Sequence, residues 1–269
     1  MEALKYTILG IIQGITEPLP ISSSGHLLIF KELLNTNMFN DLNFETIVNF
    51  GSFLAILFIF RKDIIRLIKN FFTYLFNKDK RKITYNDFKY CLLIIIGTIP
   101  VGITGFIFKE KIESFVNVQA VGVALLFTAL ILFIVRNIKG EKDDNDITYK
   151  DAIIIGLIQM IALLPGVSRS GTVLVGCLLC KLKRETALKY TFMLYFPVSV
   201  AAMGLGVLDL VESNTLNTVL LPYSLGFIAS CIVTYFAYQW LSNIVKKGSL
   251  WKFSIYCLIV GIFVIFYFR

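Results

Sequence analysis

Apolar segments long enough to cross a lipid bilayer recur along the whole chain. Crossing about 30 Å of hydrocarbon takes roughly 20 mostly apolar residues in a helix. Six segments have this character: 44–60, 88–108, 118–135, 186–210, 219–240 and 253–268. Of the 269 residues, 57% are hydrophobic and only 16% are charged, a composition that excludes a water-soluble globular domain. The sequence therefore predicts an all-α polytopic membrane protein with a single integral membrane domain.

Two further apolar segments, roughly 6–34 and 152–180, are interrupted by Pro, Ser and Gly. The stretch "PLPISSSG" interrupts the first and "LLPGVSRSG" the second. A straight helix tolerates neither stretch. Irregular backbone at membrane depth survives only where it is buried in protein or lines a wet cavity. We therefore interpret both segments as re-entrant helix–turn–helix hairpins.

The positive charges predict an orientation. Eighteen Lys and Arg residues fall in segments 61–87, 136–151, 181–184 and 246–252. If the six apolar segments cross the membrane and the two hairpins do not, all four of these charged segments lie on one side. Only 5 positive residues then lie on the other side. The positive-inside rule makes the first side cytoplasmic and places both termini outside the cytoplasm. This distribution accounts for the net charge of +8 without a nucleic-acid partner.

An internal repeat is visible in the two interrupted segments. Residues 10–29 align without gaps on residues 156–175, and 8 of the 20 positions are identical. A weaker match follows between "ETIVNF" at 45 and "ETALKY" at 185. The identical positions include Gly10 with Gly156, Gln13 with Gln159, Ser22 with Ser168, Ser24 with Ser170 and Gly25 with Gly171.

The alignment predicts two halves, about 1–140 and 141–269, each with one re-entrant hairpin and three transmembrane helices. Because three crossings are an odd number, the second half enters the membrane in the opposite direction. Inverted-topology repeats place their functional site near the bilayer midplane, where the broken helices meet.

The two hairpins differ in their charged side chains. Glu17 is the only charged residue between Lys5 and Lys31, and Arg169 is the only one from 152 to 180. An isolated charge at this depth costs on the order of 2.5–3.5 kcal/mol, so we expect Glu17 and Arg169 to pair. The pair could be a salt bridge that only holds the hairpins together, or part of a functional site.

Other polar side chains near these charges favour a functional site. Gln13 and Glu17 are spaced i, i+4 and share one helix face, where their oxygens suit a hard cation. The turn "PGVSRSG" offers backbone N–H groups at a helix N-terminus, and with Arg169 it suits phosphate. The serines of "PISSSGH" could instead cap freed backbone groups, and His26 could simply bond a carbonyl.

The stretches "QGITEPLPISSSGH" and "PGVSRSG" resemble the two motifs of the undecaprenyl-diphosphatase family, also called the bacitracin-resistance phosphatases. The resemblance covers nearly the whole chain. It implies a hydrolase of the bacterial cytoplasmic membrane that converts undecaprenyl diphosphate to undecaprenyl phosphate and inorganic phosphate on the extracytoplasmic side. That reaction recycles the lipid carrier of peptidoglycan synthesis and confers bacitracin resistance. The resemblance also implies a divalent cation, Mg²⁺ or Ca²⁺.

The resemblance assigns roles residue by residue. The acidic motif falls on Gln13 and Glu17, which would hold the cation, and many family members have Glu at the position of Gln13. The catalytic residues would be Glu17, Ser23, His26 and Arg169, and the phosphate-binding residues would be Arg169, Ser168, Ser170, Ser22 and Ser24.

Some alternatives stay open. The nucleophile could be Ser23, His26 or water. A polyprenyl-phosphate flippase or transporter could use the same midplane site, because inverted repeats with broken helices are typical of transporters. A non-catalytic membrane scaffold is a third, less favoured function, because such a role does not need charges at the midplane. The sequence also leaves open a homodimer and the length of prenyl chain accepted.

Overall fold

The computed structural model describes residues 2–34, 42–114, 117–212 and 216–269, and these residues form eleven α-helices and no β-strand. The helices are α1 (Glu2–Thr16), α2 (Ser23–Leu33), α3 (Leu42–Phe76), α4 (Arg81–Ile107), α5 (Lys109–Glu113), α6 (Val118–Val135), α7 (Tyr149–Gln159), α8 (Arg169–Leu179), α9 (Arg184–Glu212), α10 (Leu216–Lys246) and α11 (Trp251–Tyr267). Short 3₁₀ segments occupy Lys78–Lys80, Asp144–Asp146 and Met160–Leu163. The predicted all-α class is confirmed.

Within the described residues, 4 helices are long and apolar enough to cross a membrane: α3, α4, α6 and α10. They confirm a polytopic membrane protein. Helix α11 is apolar but has only 17 residues, and α9 has 29. The predicted segments 253–268 and 186–210 are helical there, and their crossing of the bilayer stays a prediction.

Large apolar side chains face outward along these helices. Phe106, Phe236 and Ile134 are 85%, 64% and 60% exposed. Soluble monomers rarely expose apolar surface on this scale, so this surface fits contact with lipid tails. The interior is also apolar, with Tyr190 and Phe192 of α9 fully enclosed among the helices.

Both interrupted segments form pairs of short helices, α1 with α2 and α7 with α8. Helix α2 and helix α8 each have 11 residues, about 17 Å at 1.5 Å per residue, which is too short to cross the hydrocarbon. The two segments are therefore broken helices, as predicted.

The two pairs of short helices pack on equivalent partners. Helix α1 lies along α10, with Gly10 against the backbone of Gly226, and α7 lies along α4, with Gly156 against the backbone of Gly97. Exchanging the two halves of the chain turns one contact into the other. This correspondence supports the predicted repeat, whose halves of about 1–140 and 141–269 and opposite insertion stay predictions.

Ion pairs bring the positively charged segments to one end of the bundle. Lys189 of α9 lies 3.4 Å from Asp63 of α3 and 2.5 Å from Asp144. Two further pairs extend the same cluster, Lys183 with Asp143 at 2.7 Å and Lys246 with Glu185 at 3.4 Å. The four positive segments therefore share one end, as the charge pattern requires. That this end is cytoplasmic stays a prediction.

Candidate active site

The first tip lies between α1 and α2. Pro18 and Pro20 follow α1 directly, and proline cannot continue a helix because it lacks the N–H donor. Ser22 then adopts φ +72°, a conformation that is uncommon for a residue with a Cβ. Its hydroxyl accepts a hydrogen bond from the Gly25 N–H at 3.2 Å and so caps α2. The chain thus reverses direction and begins a new helix at Ser23.

The second tip, between α7 and α8, reaches the same result by a different turn. Gly166 adopts φ +82°, which favours glycine. Ser168 accepts a hydrogen bond from the Gly171 N–H at 3.1 Å and caps α8. The aligned serines Ser22 and Ser168 therefore each cap the second helix of their hairpin, and the expected capping by a serine of "PISSSGH" is confirmed for Ser22. The predicted phosphate contacts of Ser22 and Ser168 stay predictions.

The two tips touch each other. The Ser170 hydroxyl donates to the Leu19 carbonyl at 3.0 Å. Arg169 Nη2 donates to Glu17 Oε1, also at 3.0 Å. The predicted pairing of these charges is confirmed across 152 positions of sequence. The Glu17 side chain is 6% exposed and that of Arg169 is 30% exposed, so the acid is the deeper of the two.

The second oxygen of Glu17 is also engaged. The Ser23 hydroxyl donates a short hydrogen bond to Glu17 Oε2, and Gln13 Nε2 donates to the same oxygen at 3.0 Å. Gln13 Nε2 also donates to Asn49 Oδ1 at 2.5 Å. Gln13, Glu17, Ser23 and Arg169 therefore form one connected network, and their catalytic and cation-binding roles stay predictions.

A cavity of about 310 Å³ opens between the tips and the helices around them. Its polar lining joins the two capped helix starts to the charged pair: Glu17, Ser22, Ser23, Ser24, Thr46, Asn49, Gln159, Ser168, Arg169, Ser170, Thr191, Tyr195 and Ser199. The N-terminus of a helix attracts anions through its free N–H groups and its dipole. Two such termini and a guanidinium beside one cavity make a site suited to an anionic group.

Sequence reasoning missed several residues of this lining. The Arg169 guanidinium lies over the Tyr195 ring, 4.6 Å from its centroid, a favourable cation–π arrangement. Tyr195 lies on α9, far in sequence from both motifs, and no sequence signal pointed to it. Asn49 belongs to "ETIVNF", where the weaker repeat match was the only available signal.

His26 faces away from this network. Its ring lies parallel to that of Tyr256 on α11, and Nε2 is 2.8 Å from the Tyr256 hydroxyl. Nδ1 is 2.7 Å from the Ser22 carbonyl. His26 does not border the cavity, so the structure does not bring it together with Arg169, and its catalytic role stays a prediction.

The side chains around Glu17 carry oxygen atoms of the kind that a hard cation takes as ligands. Asn49 Oδ1 and Glu17 Oε2 both accept hydrogen bonds from Gln13 Nε2. The other amide atom, Gln13 Oε1, is buried without a hydrogen-bond partner among the described residues. The described residues contain no cluster of three or more His, Cys, Asp or Glu. A single carboxylate with two amide groups fits a hard cation that takes its other ligands from a phosphate.

This arrangement has the groups that phosphoryl transfer needs. A hydroxyl lies beside a carboxylate that can take its proton, and a guanidinium and two helix N-termini can hold a transferred phosphoryl group. An apolar bundle around the cavity limits the entry of water.

Known proteins similar to this chain are named as undecaprenyl-diphosphatases. The chain is 46% identical over 260 residues to "Undecaprenyl-diphosphatase 2" of Bacillus thuringiensis (strain Al Hakam), covering 96% of this chain and 95% of the relative. It is 43% identical over 266 residues to "Undecaprenyl-diphosphatase 1" of Bacillus licheniformis, covering 98% and 97%. It is 42% identical over 267 residues to "Undecaprenyl-diphosphatase" of Oceanobacillus iheyensis, covering 98% and 96%.

The match to a family model extends over residues 6–263, which includes both tips and all or most of each described helix. Its description is bacitracin resistance protein BacA. With relatives at this identity over nearly their full length, the chain belongs to the BacA family of bacitracin resistance proteins.

Proposed function

We propose that this chain hydrolyses undecaprenyl diphosphate to undecaprenyl phosphate and inorganic phosphate. Its BacA family membership and the diphosphatase names of its relatives support this activity. The reaction would recycle the lipid carrier of peptidoglycan synthesis and give bacitracin resistance. The flippase alternative is not favoured, because the relatives' names state a phosphatase.

One observation carries the proposal. Glu17 and Arg169, the charged residues at the two tips, meet at 3.0 Å beside a cavity, and Ser23 donates to the same carboxylate. A salt bridge that only joined two hairpins would not need a hydroxyl and a polar cavity beside it, because apolar packing would join them as well.

Substrate binding follows from the charges around the cavity. The Arg169 guanidinium can hold two phosphate oxygens at once. The hydroxyls and helix starts at Ser22, Ser24, Ser168 and Ser170 would hold the remaining oxygens. When the phosphate binds the Arg169 guanidinium, Glu17 Oε1 loses its hydrogen bond to that guanidinium. The prenyl chain would remain among the apolar helices and lipid.

Ser23 is the nucleophile that the geometry supports best. Its hydroxyl already donates to Glu17 Oε2. Ser23 Oγ would attack the terminal phosphorus, and Glu17 would take the hydroxyl proton and pass it to the bridging oxygen as that bond breaks and undecaprenyl phosphate leaves. Water would then attack the phosphoserine, and Glu17 would take a proton from the water and return it to Ser23 Oγ as the serine–phosphorus bond breaks and inorganic phosphate leaves. Both ring nitrogens of His26 are engaged outside the cavity, so this route does not use His26 as the nucleophile.

A divalent cation, Mg²⁺ or Ca²⁺, would be held by Glu17 and Gln13 together with substrate oxygens. When bound, it would supply positive charge that neutralises the diphosphate. Gln13 and Asn49 would keep Glu17 oriented whether or not the cation is present.

The site would open to the extracytoplasmic side of the cytoplasmic membrane. The first tip lies in the half of the chain that the charge pattern makes enter from outside.

Phosphate release from undecaprenyl diphosphate in detergent tests the proposal. We expect Glu17→Gln, Ser23→Ala and Arg169→Ala each to lower kcat/KM by at least about 10³-fold, the effect of removing a nucleophile or a group that stabilises charge in the transition state. Glu141→Gln, at an exposed position, and Arg136→Ala, at a half-buried position, both change residues outside the cavity. They are matched controls and should retain full activity. Turnover by Glu17→Gln or Arg169→Ala near that of the unsubstituted protein would contradict the assignment.

Removal of divalent cations tests the cation separately. We expect a chelator to reduce phosphate release, and Mg²⁺ or Ca²⁺ to restore it. Because Gln13 supplies only an amide oxygen, Gln13→Glu should lower the cation concentration that gives half-maximal activity. Unchanged activity in the chelator would remove the cation from the mechanism and leave the Ser23 and Arg169 assignments standing.

A further inference from the structure

Gln159 is a cavity residue that the proposed mechanism does not use. It is the last residue of α7, aligns with Gln13 in the repeat, and is fully buried. Both polar atoms of its amide, Oε1 and Nε2, lack a hydrogen-bond partner among the described residues. Gln159 nevertheless borders the same cavity as Arg169 and Ser168.

Three other polar side chains of the cavity have hydrogen-bond partners within the protein. Thr191 donates to the Ala187 carbonyl at 2.8 Å, Asn49 accepts from Gln13, and Ser170 donates to the Leu19 carbonyl. Of the described residues that border the cavity, Gln159 alone has side-chain polar atoms that are both buried and without a partner.

An unpartnered buried amide lowers the stability of a folded protein, because it loses its hydrogen bonds to water and gains none in return. A side chain of apolar shape would fill the same position without this cost. Within the described part of the chain, Gln159 also gives no hydrogen bond between helices that would explain a structural role. Its amide is therefore a candidate for contact with a ligand in the cavity.

The ligand chemistry follows from the other groups around the cavity. Arg169 and the capped starts of α2 and α8 attract phosphate, and an amide N–H is a good donor to a phosphate oxygen. We infer that Gln159 is a phosphate-binding residue, whose Nε2 donates to an oxygen of the substrate's phosphate group. The identity of the substrate as a lipid diphosphate rests on the proposed function. The contact between Gln159 and a phosphate group does not depend on it.

Three variants test the inference in the purified full-length protein. Gln159→Leu removes both polar atoms at similar volume, and Gln159→Glu places a negative charge near the phosphate. Gln239→Leu makes the same change at an exposed position of α10 away from the cavity. Each protein is measured for its unfolding temperature without phosphate, for the rise in that temperature with inorganic phosphate, and for kcat/KM with undecaprenyl diphosphate.

We expect Gln159→Leu to unfold at the same or a higher temperature than the unsubstituted protein when phosphate is absent. Its kcat/KM should fall by about tenfold to a hundredfold, the effect of losing one hydrogen bond to a charged group. The temperature rise caused by phosphate should shrink, Gln159→Glu should lower kcat/KM further, and Gln239→Leu should match the unsubstituted protein in every measurement.

Two results separate this inference from the proposed function. If the unsubstituted protein releases phosphate normally and Gln159→Leu keeps both its kcat/KM and its phosphate-induced temperature rise, the inference is wrong and the proposed function stands. If the unsubstituted protein releases no phosphate, yet phosphate raises its unfolding temperature and not that of Gln159→Leu, the phosphate contact stands and the proposed function is wrong.

Discussion

At the scale of single residues, the carboxylate of Glu17 organises the site. One oxygen accepts from Arg169, and the other accepts from Ser23 and Gln13. Such a network can hold two hairpins together or activate a hydroxyl, and each of these roles makes a different prediction for stability and for activity. Variants that remove one or both charges separate the two roles.

A double-mutant cycle on Glu17 and Arg169 distinguishes the structural role of the pair from its catalytic role. Breaking a buried ion pair by removing one partner costs roughly 3–5 kcal/mol, and because 30% of the Arg169 side chain is exposed, we expect about 2 kcal/mol for Arg169→Met. The double variant Glu17→Gln with Arg169→Met should recover most of this loss in unfolding experiments, since no unpaired charge remains. Its phosphate release should stay absent, whereas a purely structural pair predicts that activity recovers with stability.

A second prediction at the residue scale concerns the hydrogen bonds of the His26 imidazole. His26 joins the Ser22 carbonyl at one tip to the Tyr256 hydroxyl on α11. Tyr256→Phe removes one neutral hydrogen bond and should lower the free energy of unfolding by about 0.5–1.5 kcal/mol. We expect kcat to change less than about threefold, because the cavity keeps all its groups. A loss of kcat as large as that of Ser23→Ala would instead place His26 and Tyr256 in the reaction.

At the scale of elements, the position of Glu17 depends on how closely α1 approaches α10. Gly10 faces the backbone of Gly226, and a Cβ at Gly10 would overlap its carbonyl. Helix α1 also carries Gln13 and Glu17. A displacement of α1 would therefore move the carboxylate relative to Arg169, which lies on the other hairpin.

Gly10→Ala tests this dependence. Overpacking of this kind costs about 1–3 kcal/mol, and we expect a lower unfolding temperature together with reduced kcat/KM. Gly102 of α4 has no atom within 4 Å of the position a Cβ would take, so Gly102→Ala should be neutral or slightly stabilising in a helix. Equal behaviour of the two variants would show that the α1–α10 contact does not position the site.

At the scale of the whole molecule, the ion pairs collect the positive segments at one end of the bundle. The shared end excludes every topology that places these segments on opposite sides of a membrane. The remaining question is which side they occupy, and the positive-inside rule answers that it is the cytoplasm.

Alkaline phosphatase, which is active only outside the cytoplasm, checks this orientation when it is fused to the chain. We expect a fusion after Arg269 to be active and a fusion in the turn at Lys78–Lys80 to be inactive. The reverse pattern would invert the predicted orientation, and activity at both positions would contradict a shared side.

The sequence predicts some parts of the fold and site well and others not at all. The helix breaks at "PLPISSSG" and "LLPGVSRSG" follow from Pro and Gly chemistry that is local in sequence. The pairing of Glu17 with Arg169 follows from the cost of a lone charge. Tyr195 and Gln159 could not be assigned in this way, because their place beside the cavity depends on the packing of α9 and α7. The direction of His26 likewise depends on α11, which lies 230 positions away at Tyr256.

The meeting of Glu17 with Arg169 has a consequence for biogenesis. A ribosome that has delivered only the first 140 residues to the membrane has made the acid but not its cationic partner, so the nascent chain carries an uncompensated carboxylate. This costs free energy in lipid until synthesis reaches the second tip and the chain folds around it. A truncated product that lacks the second tip therefore keeps an unpaired carboxylate, which the finished chain neutralises with Arg169.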